Sequence, residues 1–286
     1  MREDVSESNV REVKSAGRLP RVAASSYLNT APLIWSFAHG ARRSEVELMM
    51  DAAPSRCAQM LSRGTVDAAL VPVIEYQRMA DALVVPGVCV AARREVRSVV
   101  LVTRGARLEE VRTVALDTSS RTSAALVRVI FREFVEREPL FASSEPNLRE
   151  MLRANDAALV IGDPAMTFER EGLRVYDLAA LWRERTGFGF VFAMWMARAS
   201  ASESVGRIDF AGARDEGLAR VEEIAARYEG ELKLPRAALV SYLRENICFE
   251  LDDELRAGLE LFYKLAYRHG VIGTLRPIQT LGAPVA

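Results

Sequence analysis

Short apolar runs alternate with segments of helical period along most of this chain. Residues 21–25, 46–50, 68–73, 83–91 and 96–103 read as strands. Between them, residues 30–38, 54–63 and 74–80 are long enough for helices. The second of these closes on Arg63-Gly64, a basic last turn followed by a glycine, which suits a helix C-terminus. Strands alternating with helices predict an α/β layer on a mostly parallel sheet.

After Arg104-Gly105 the pattern restarts. "TVALD" reads as a strand and "SRTSAALVRVIFREFVE" as a long amphipathic helix. "NLREMLRAN" and "PAMTFEREG" read as helices, and "AALVIGD", "RVYDL" and "FVFAMWMAR" as strands. From about Asp215 the pattern is helical: "DEGLARVEEIAARYEG", "PRAALVSYLRENI" and "DDELRAGLELFYKLAYRHG". The last starts acidic and ends Arg-His-Gly, the charge order that a helix dipole favours. Two α/β units and a helical tail follow from this order. The expected boundaries are a flexible tail over residues 1–19, a first lobe of residues 20–104 plus 196–286, and a second lobe of residues 105–195. "SVVLVT" leads out of the first lobe and "FVFAMWM" leads back. A cleft between such lobes binds ligands outside the carboxyl ends of the strands.

Composition narrows the function classes. The chain has 286 residues, half of them hydrophobic, enough for two cores. A net charge of −1 gives no bulk attraction for nucleic acid or an anionic membrane, so neither is an expected partner. Cys57, Cys89 and Cys248 are too widely spaced for a zinc site or a disulfide framework, and read as small core residues. The charged start has no apolar signal segment and no run is long enough to cross a membrane, so a cytoplasmic protein is expected. There is no GxGxxG, Walker loop or HExxH, and the expectation is no metal and no cofactor. Monomer and homodimer remain equally open.

Polar residues cluster at three predicted strand ends. In "VAASSYLNTAPLIW", Ser26, Tyr27 and Asn29 stand where a helix starts around Pro32. In "ALDTSSRTSAAL", Thr118, Ser119, Ser120 and Thr122 surround another helix start. Capping uses one such side chain or two, so four exceed that need. Arg121 in a first helical turn opposes the dipole, and beside free amides it suits a carboxylate or phosphate ligand. In "VIGDPAM", Asp163 before Pro164 is either an N-cap or a cleft-facing acid. Glu75, after the strand in "LVPVIEY", reads better as a surface first-turn acid than as a cleft residue. His39 and His269 lie outside all three clusters.

Together "SYLNTAPL", "GTVDAALVPVIEY", "LDTSSRTSAAL", "ALVIGDPA" and "TGFGFVFAMW" resemble the motifs of the chorismate dehydratase family, in order from about Arg21 onward. The resemblance implies a type II periplasmic-binding-protein-like fold and loss of water from chorismate in the futalosine route to menaquinone. It implies that Ser26, Tyr27, Ser119, Ser120, Arg121, Thr122, Thr186 and Gly187 bind substrate and that Asn29 and Asp163 act in catalysis. Asp163 is the expected general acid or base, with a carboxylate of the substrate as the other candidate. Val73 departs from the serine that many members carry before Ile-Glu-Tyr. A small-anion binding or sensing protein on the same fold, and the sister 1,4-dihydroxy-6-naphthoate synthase, are the competing readings.

Overall fold

The computed structural model describes residues 18–282, so the tail expected over residues 1–19 falls almost wholly outside the described residues. Ten strands form two five-stranded sheets. The first runs in the order β2-β1-β3-β10-β4, where β1 is Arg21–Ser25, β2 Glu47–Asp51, β3 Ala68–Pro72, β4 Ala82–Ala92 and β10 Phe190–Arg198. The second runs β7-β6-β8-β5-β9, where β5 is Val99–Thr103, β6 Thr113–Asp117, β7 Leu140–Ser144, β8 Ala157–Ile161 and β9 Arg174–Asp177. Each sheet pairs three strands in parallel and inserts one antiparallel strand, β10 in the first and β5 in the second.

Helices α1 (Ala31–His39), α2 (Pro54–Ser62), α3 (Arg121–Val129), α4 (Leu148–Ala154), α5 (Asp163–Thr167) and α6 (Leu178–Thr186) connect the strands. The C-terminal part holds α7 (Ser202–Val205), α8 (Phe210–Ala219), α9 (Val221–Leu232), α10 (Arg236–Ser241) and α11 (Asp253–Arg268). Strands β1, β3, β5, β6 and β8 are apolar because both faces are covered; residues 99–103 and 157–161 are buried at every position. Trp182, Phe190 and Phe262 meet edge to face at centroid distances of 5.0 to 6.1 Å within this core.

The crossing strands correct the expected boundaries. β5 pairs with β8 and β9, so residues 99–103 join the second sheet; β10 pairs with β3 and β4, so residues 190–198 join the first. Each crossing strand hydrogen-bonds in the sheet it enters, which moves the changeovers from 105 and 195 to residues 93–98 and 187–189. Asp177 braces this crossing: it accepts from the Val96 and Arg97 amides at 3.0 and 2.6 Å and caps α6 through Ala179 and Ala180.

Other elements also differ from expectation. Residues 74–80 do not form an α-helix; a 3-10 turn, Val73–Gln77, stands there. The C-terminal segment holds this turn in place: Arg276 donates to the Tyr76, Met79 and Ala80 carbonyls, and Thr274 to that of Gln77. The helix expected over "PAMTFEREG" stops at Thr167, whose hydroxyl turns back onto the Asp163 carbonyl. The helix "DEGLARVEEIAARYEG" breaks at Arg220 into α8 and α9. The long helix after β6 widens into a π-helical turn, Ile130–Val135.

Candidate active site

Strands β1, β2, β6 and β8 all end toward the gap between the sheets, and α1, α2, α3 and α5 start there. A small cavity of about 60 Å³ lies among these starts. Tyr27, Asn29 and Thr30 line it from the first lobe; Ser119, Ser120, Thr122, Ser123 and Gly162 line it from the second. Leu70, Val90, Val99, Ile161 and Phe192 supply its apolar wall. The helices α1, α2 and α3 that start here share one feature. Among the described residues, none of their N-caps, Thr30, Ala53 and Ser120, makes a side-chain capping bond. Of the helices that start elsewhere, α4, α6, α8 and α11 are capped by Asn147, Asp177, Asp209 and Asp252, whereas α7, α9 and α10 also begin without a side-chain cap. The α3 start presents its first-turn amides; in α1 and α2 Pro32 and Pro54 carry no N–H and the Ala31 amide already donates to the Leu28 carbonyl, so these two contribute mainly the positive ends of their dipoles.

The opening stretch is shaped by two bonds and one glycine. The Thr30 hydroxyl does not cap α1; it donates to the Ser25 and Tyr27 carbonyls at 2.5 and 2.8 Å, folding residues 28–30 into a 3-10 turn. The Leu28 amide donates across the gap to the Asp163 carboxylate, at 3.1 and 3.3 Å. Asn29 lines the cavity, and its side chain also meets the buried Tyr242 hydroxyl. Gly162 sits at φ +66° and ψ −151°, a region open almost only to glycine. A Cβ there would meet the Tyr27 ring at 2.7 Å, so the glycine also makes room for that ring.

Burial governs the titrating groups. It pushes the Asp163 carboxyl up to about 7, against a smaller opposing pull from the Leu28 amide, and Glu231 adds to the rise. It also raises Tyr27, with the Ser119 side chain pulling the other way. Asp117 is raised by burial too; one of its oxygens accepts from the Ser119 amide and hydroxyl, and the other has no partner among the described residues.

The structure brings Tyr27, Asn29, Ser119, Ser120 and Thr122 to one cavity and leaves the other predicted residues outside its lining. Ser26 is exposed, and its carbonyl accepts from Tyr228. Thr186 and Gly187 end α6: the threonine hydroxyl donates to the Trp182 carbonyl and the glycine takes φ +78° as C-cap. Asp163 lies behind the Leu28–Asn29 turn rather than on the cavity surface. Arg121 turns away and pairs with Glu75 at 2.6 Å. Glu75 is therefore no surface acid: it is buried, and it also accepts from Arg78 at 2.6 Å. A buried carboxylate needs a cation, and the arginine that looked misplaced in α3 supplies it across the two lobes. Ser123, Gly162 and the uncapped start of α2 were missed; a glycine before Asp-Pro at a strand end was the available signal. Val73 is buried, lies outside the cavity lining, and gives its carbonyl to the Tyr263 hydroxyl at 2.7 Å.

Residues 20–268 match the model of a family described as "Menaquinone biosynthesis". The chain belongs to that family. It is 32% identical over 255 residues to the chorismate dehydratase of Thermus thermophilus, covering 82% of this chain and 91% of that protein. In fold it is similar to a solved protein of Archaeoglobus fulgidus, at a TM-score of 0.68 and 16% identity over 88% of this chain and 98% of that one. It is also similar to the periplasmic aliphatic sulphonate binding protein of Escherichia coli, at 0.61 and 17% over 95% and 96%. The alkanesulfonate-binding protein of Xanthomonas axonopodis pv. citri matches at 0.64 and 14% over 93% and 97%. The fold is thus the two-lobed, type II periplasmic-binding-protein-like one, with a central cleft and a helical C-terminal segment. No helix among the described residues is long and apolar enough to cross a membrane.

Proposed function

We propose that this chain is a chorismate dehydratase, a carbon–oxygen lyase that removes water from chorismate to give 3-[(1-carboxyvinyl)oxy]benzoate. The observation that carries the reading is the set of three uncapped helix starts around a hydroxyl-lined cavity. The α3 start offers free amides, and α1 and α2 the positive ends of their dipoles, to a substrate with two carboxylates, without a buried cation in the lining. The similarity to a chorismate dehydratase over nine-tenths of that enzyme supports it.

The chemistry follows from the substrate. The C3 hydrogen is conjugated through a ring double bond to the C1 carboxylate. Removing that proton pushes charge onto the carboxylate, and the C4 hydroxyl then leaves as the ring becomes aromatic. Donors fixed where charge develops lower that barrier. The α3 amides with Ser119, Ser120 and Thr122 take the C1 carboxylate. The Asn29 amide both donates and accepts, and it orients the leaving hydroxyl. Asp163 holds the Leu28 amide and so positions Asn29. A carboxylate of the substrate takes the C3 proton and passes it to the departing hydroxyl, so that water leaves.

Purified protein mixed with chorismate should form an aromatic product. Asn29→Ala should lower turnover by about 10²–10³, the scale for one preorganised donor, with melting unchanged. Chorismate binding without any product would instead identify a small-anion binding protein.

A further inference from the structure

A second, larger opening lies on the far side of the α3 start. This groove, of about 370 Å³, is lined by Arg78, Arg121, Arg128 and Arg132, with Asp117 at its base and Val271 beside it. It shares only Ser120 with the cavity described above. Its charges do not balance. Arg78 and Arg121 share the single carboxylate of Glu75. Arg132 is neutralised by Glu138 and also donates to the His269 carbonyl at 2.6 Å.

Arg128 has no carboxylate within ion-pair distance among the described residues. It stacks over the Phe141 ring, 4.8 Å from the centroid, and donates to the Ala124 carbonyl at 3.2 Å. Burial, and then its neighbours Arg132 and Arg78, disfavour its charge. Asp117 is buried and brings a carboxylate oxygen without a partner among the described residues. Burial raises that carboxyl, which weakens its repulsion of an anion; its protonated form donates a hydrogen bond. Four guanidiniums thus face three carboxylates, Glu75, Glu138 and Asp117, so that an excess of about one positive charge is left, and of about two when Asp117 is protonated.

We propose that this groove is a second ligand site, separate from the cleft, which takes a small dianion of the phosphate or dicarboxylate kind. Guanidinium forks match the oxygen pairs of both groups, and the volume suits a small metabolite. Arg78 belongs to the first lobe and Arg121, Arg128 and Arg132 to the second, so one occupant touches both.

The test is calorimetric titration of the whole protein with inorganic phosphate and, separately, succinate, at ionic strength matched with chloride. Saturable binding of either probe is expected, and the tighter one identifies the class. Arg128→Gln should weaken it by about ten- to hundredfold, the range for one charge-assisted hydrogen bond. Asn29→Ala, which alters the cleft, should bind as the parent does. If Arg128→Gln does not fold, Arg128→Lys keeps the charge but loses the fork and should still bind more weakly. Three outcomes overturn the proposal: no saturable binding of either probe, parental affinity in the Arg128 variant that folds, or loss of binding in Asn29→Ala.

Discussion

Asp163→Asn tests the most perturbed acid in the site. The parent carboxyl is raised to about 7 by burial, against an ordinary value of 3.8. An acid raised on folding binds more protons in the native state between those two values. Stability is therefore fully present below about 4 and falls as pH rises to about 7, beyond which the loss is complete. Between pH 5 and pH 8 the linkage relation gives a loss of at most about 2.5 kcal/mol. It is an upper limit because parting the lobes lets water reach the carboxylate. Asparagine keeps an oxygen for the Leu28 amide, 3.1 Å away in the parent, but never ionises. The variant should therefore gain on the parent as pH rises. At about 2 °C per kcal/mol for a chain of this size, the difference in Tm should widen by up to about 5 °C. Melting curves of both proteins at pH 5 and pH 8 measure it. Asp117 and Asp177, also raised by burial, are common to both proteins and cancel. A Tm difference that is the same at both pH values would refute the raised carboxyl.

Glu75→Gln removes the shared partner of Arg78 and Arg121 and should cost about 3 kcal/mol, the low end for breaking a buried pair, because Arg121 is partly solvated. Urea unfolding reads it, and a loss under 1 kcal/mol would show that the two lobes do not depend on this pair. Gly162→Ala places a Cβ 2.7 Å from the Tyr27 ring at a backbone conformation that costs about 1–3 kcal/mol. It should lower both Tm and chorismate turnover, and a variant as stable as the parent would mean that Tyr27 is free to swing away.

The sequence makes the strand ends legible because their chemistry is local. A strand that stops in Ser-Ser-Tyr-Leu-Asn-Thr, or in Asp-Thr-Ser-Ser, has to put those side chains at a helix start, and Tyr27, Asn29, Ser119, Ser120 and Thr122 do share one cavity. What depends on distant partners is not legible. Arg121 looks like an anion ligand until Glu75, 46 residues away, is seen beside it. Residues 74–80 have the length of a helix, yet Arg276 holds their carbonyls in a turn from 196 to 200 residues away. β7 was missed because Leu140–Ser144 is an edge strand with a mostly exposed pattern between prolines, so no apolar alternation marks it. α6 was missed because its cap, Asp177, ends the strand before it and blurs the boundary.

The cleft is nearly shut, and its closure has a definite chemistry. A dry cavity of about 150 Å³ admits one benzene. The 60 Å³ here is too little for a ring with two carboxylates. Such a substrate enters only when the lobes part. Parting breaks the Leu28–Asp163 bond, draws Ile74 from Thr122, and strains the Glu75–Arg121 pair. These contacts respond differently to water. The Glu75–Arg121 pair regains solvation for both charges, so opening there is partly repaid. The Asp163 carboxyl gains more: exposed, it returns toward its ordinary value and ionises at neutral pH. On the proposed reading, a carboxyl held near 7 in the closed cleft couples opening near pH 7 to release of a proton at Asp163, and closure to its recapture. On that reading, the carboxyl that holds the Leu28 amide beside Asn29 also makes the opening of the cleft depend on pH.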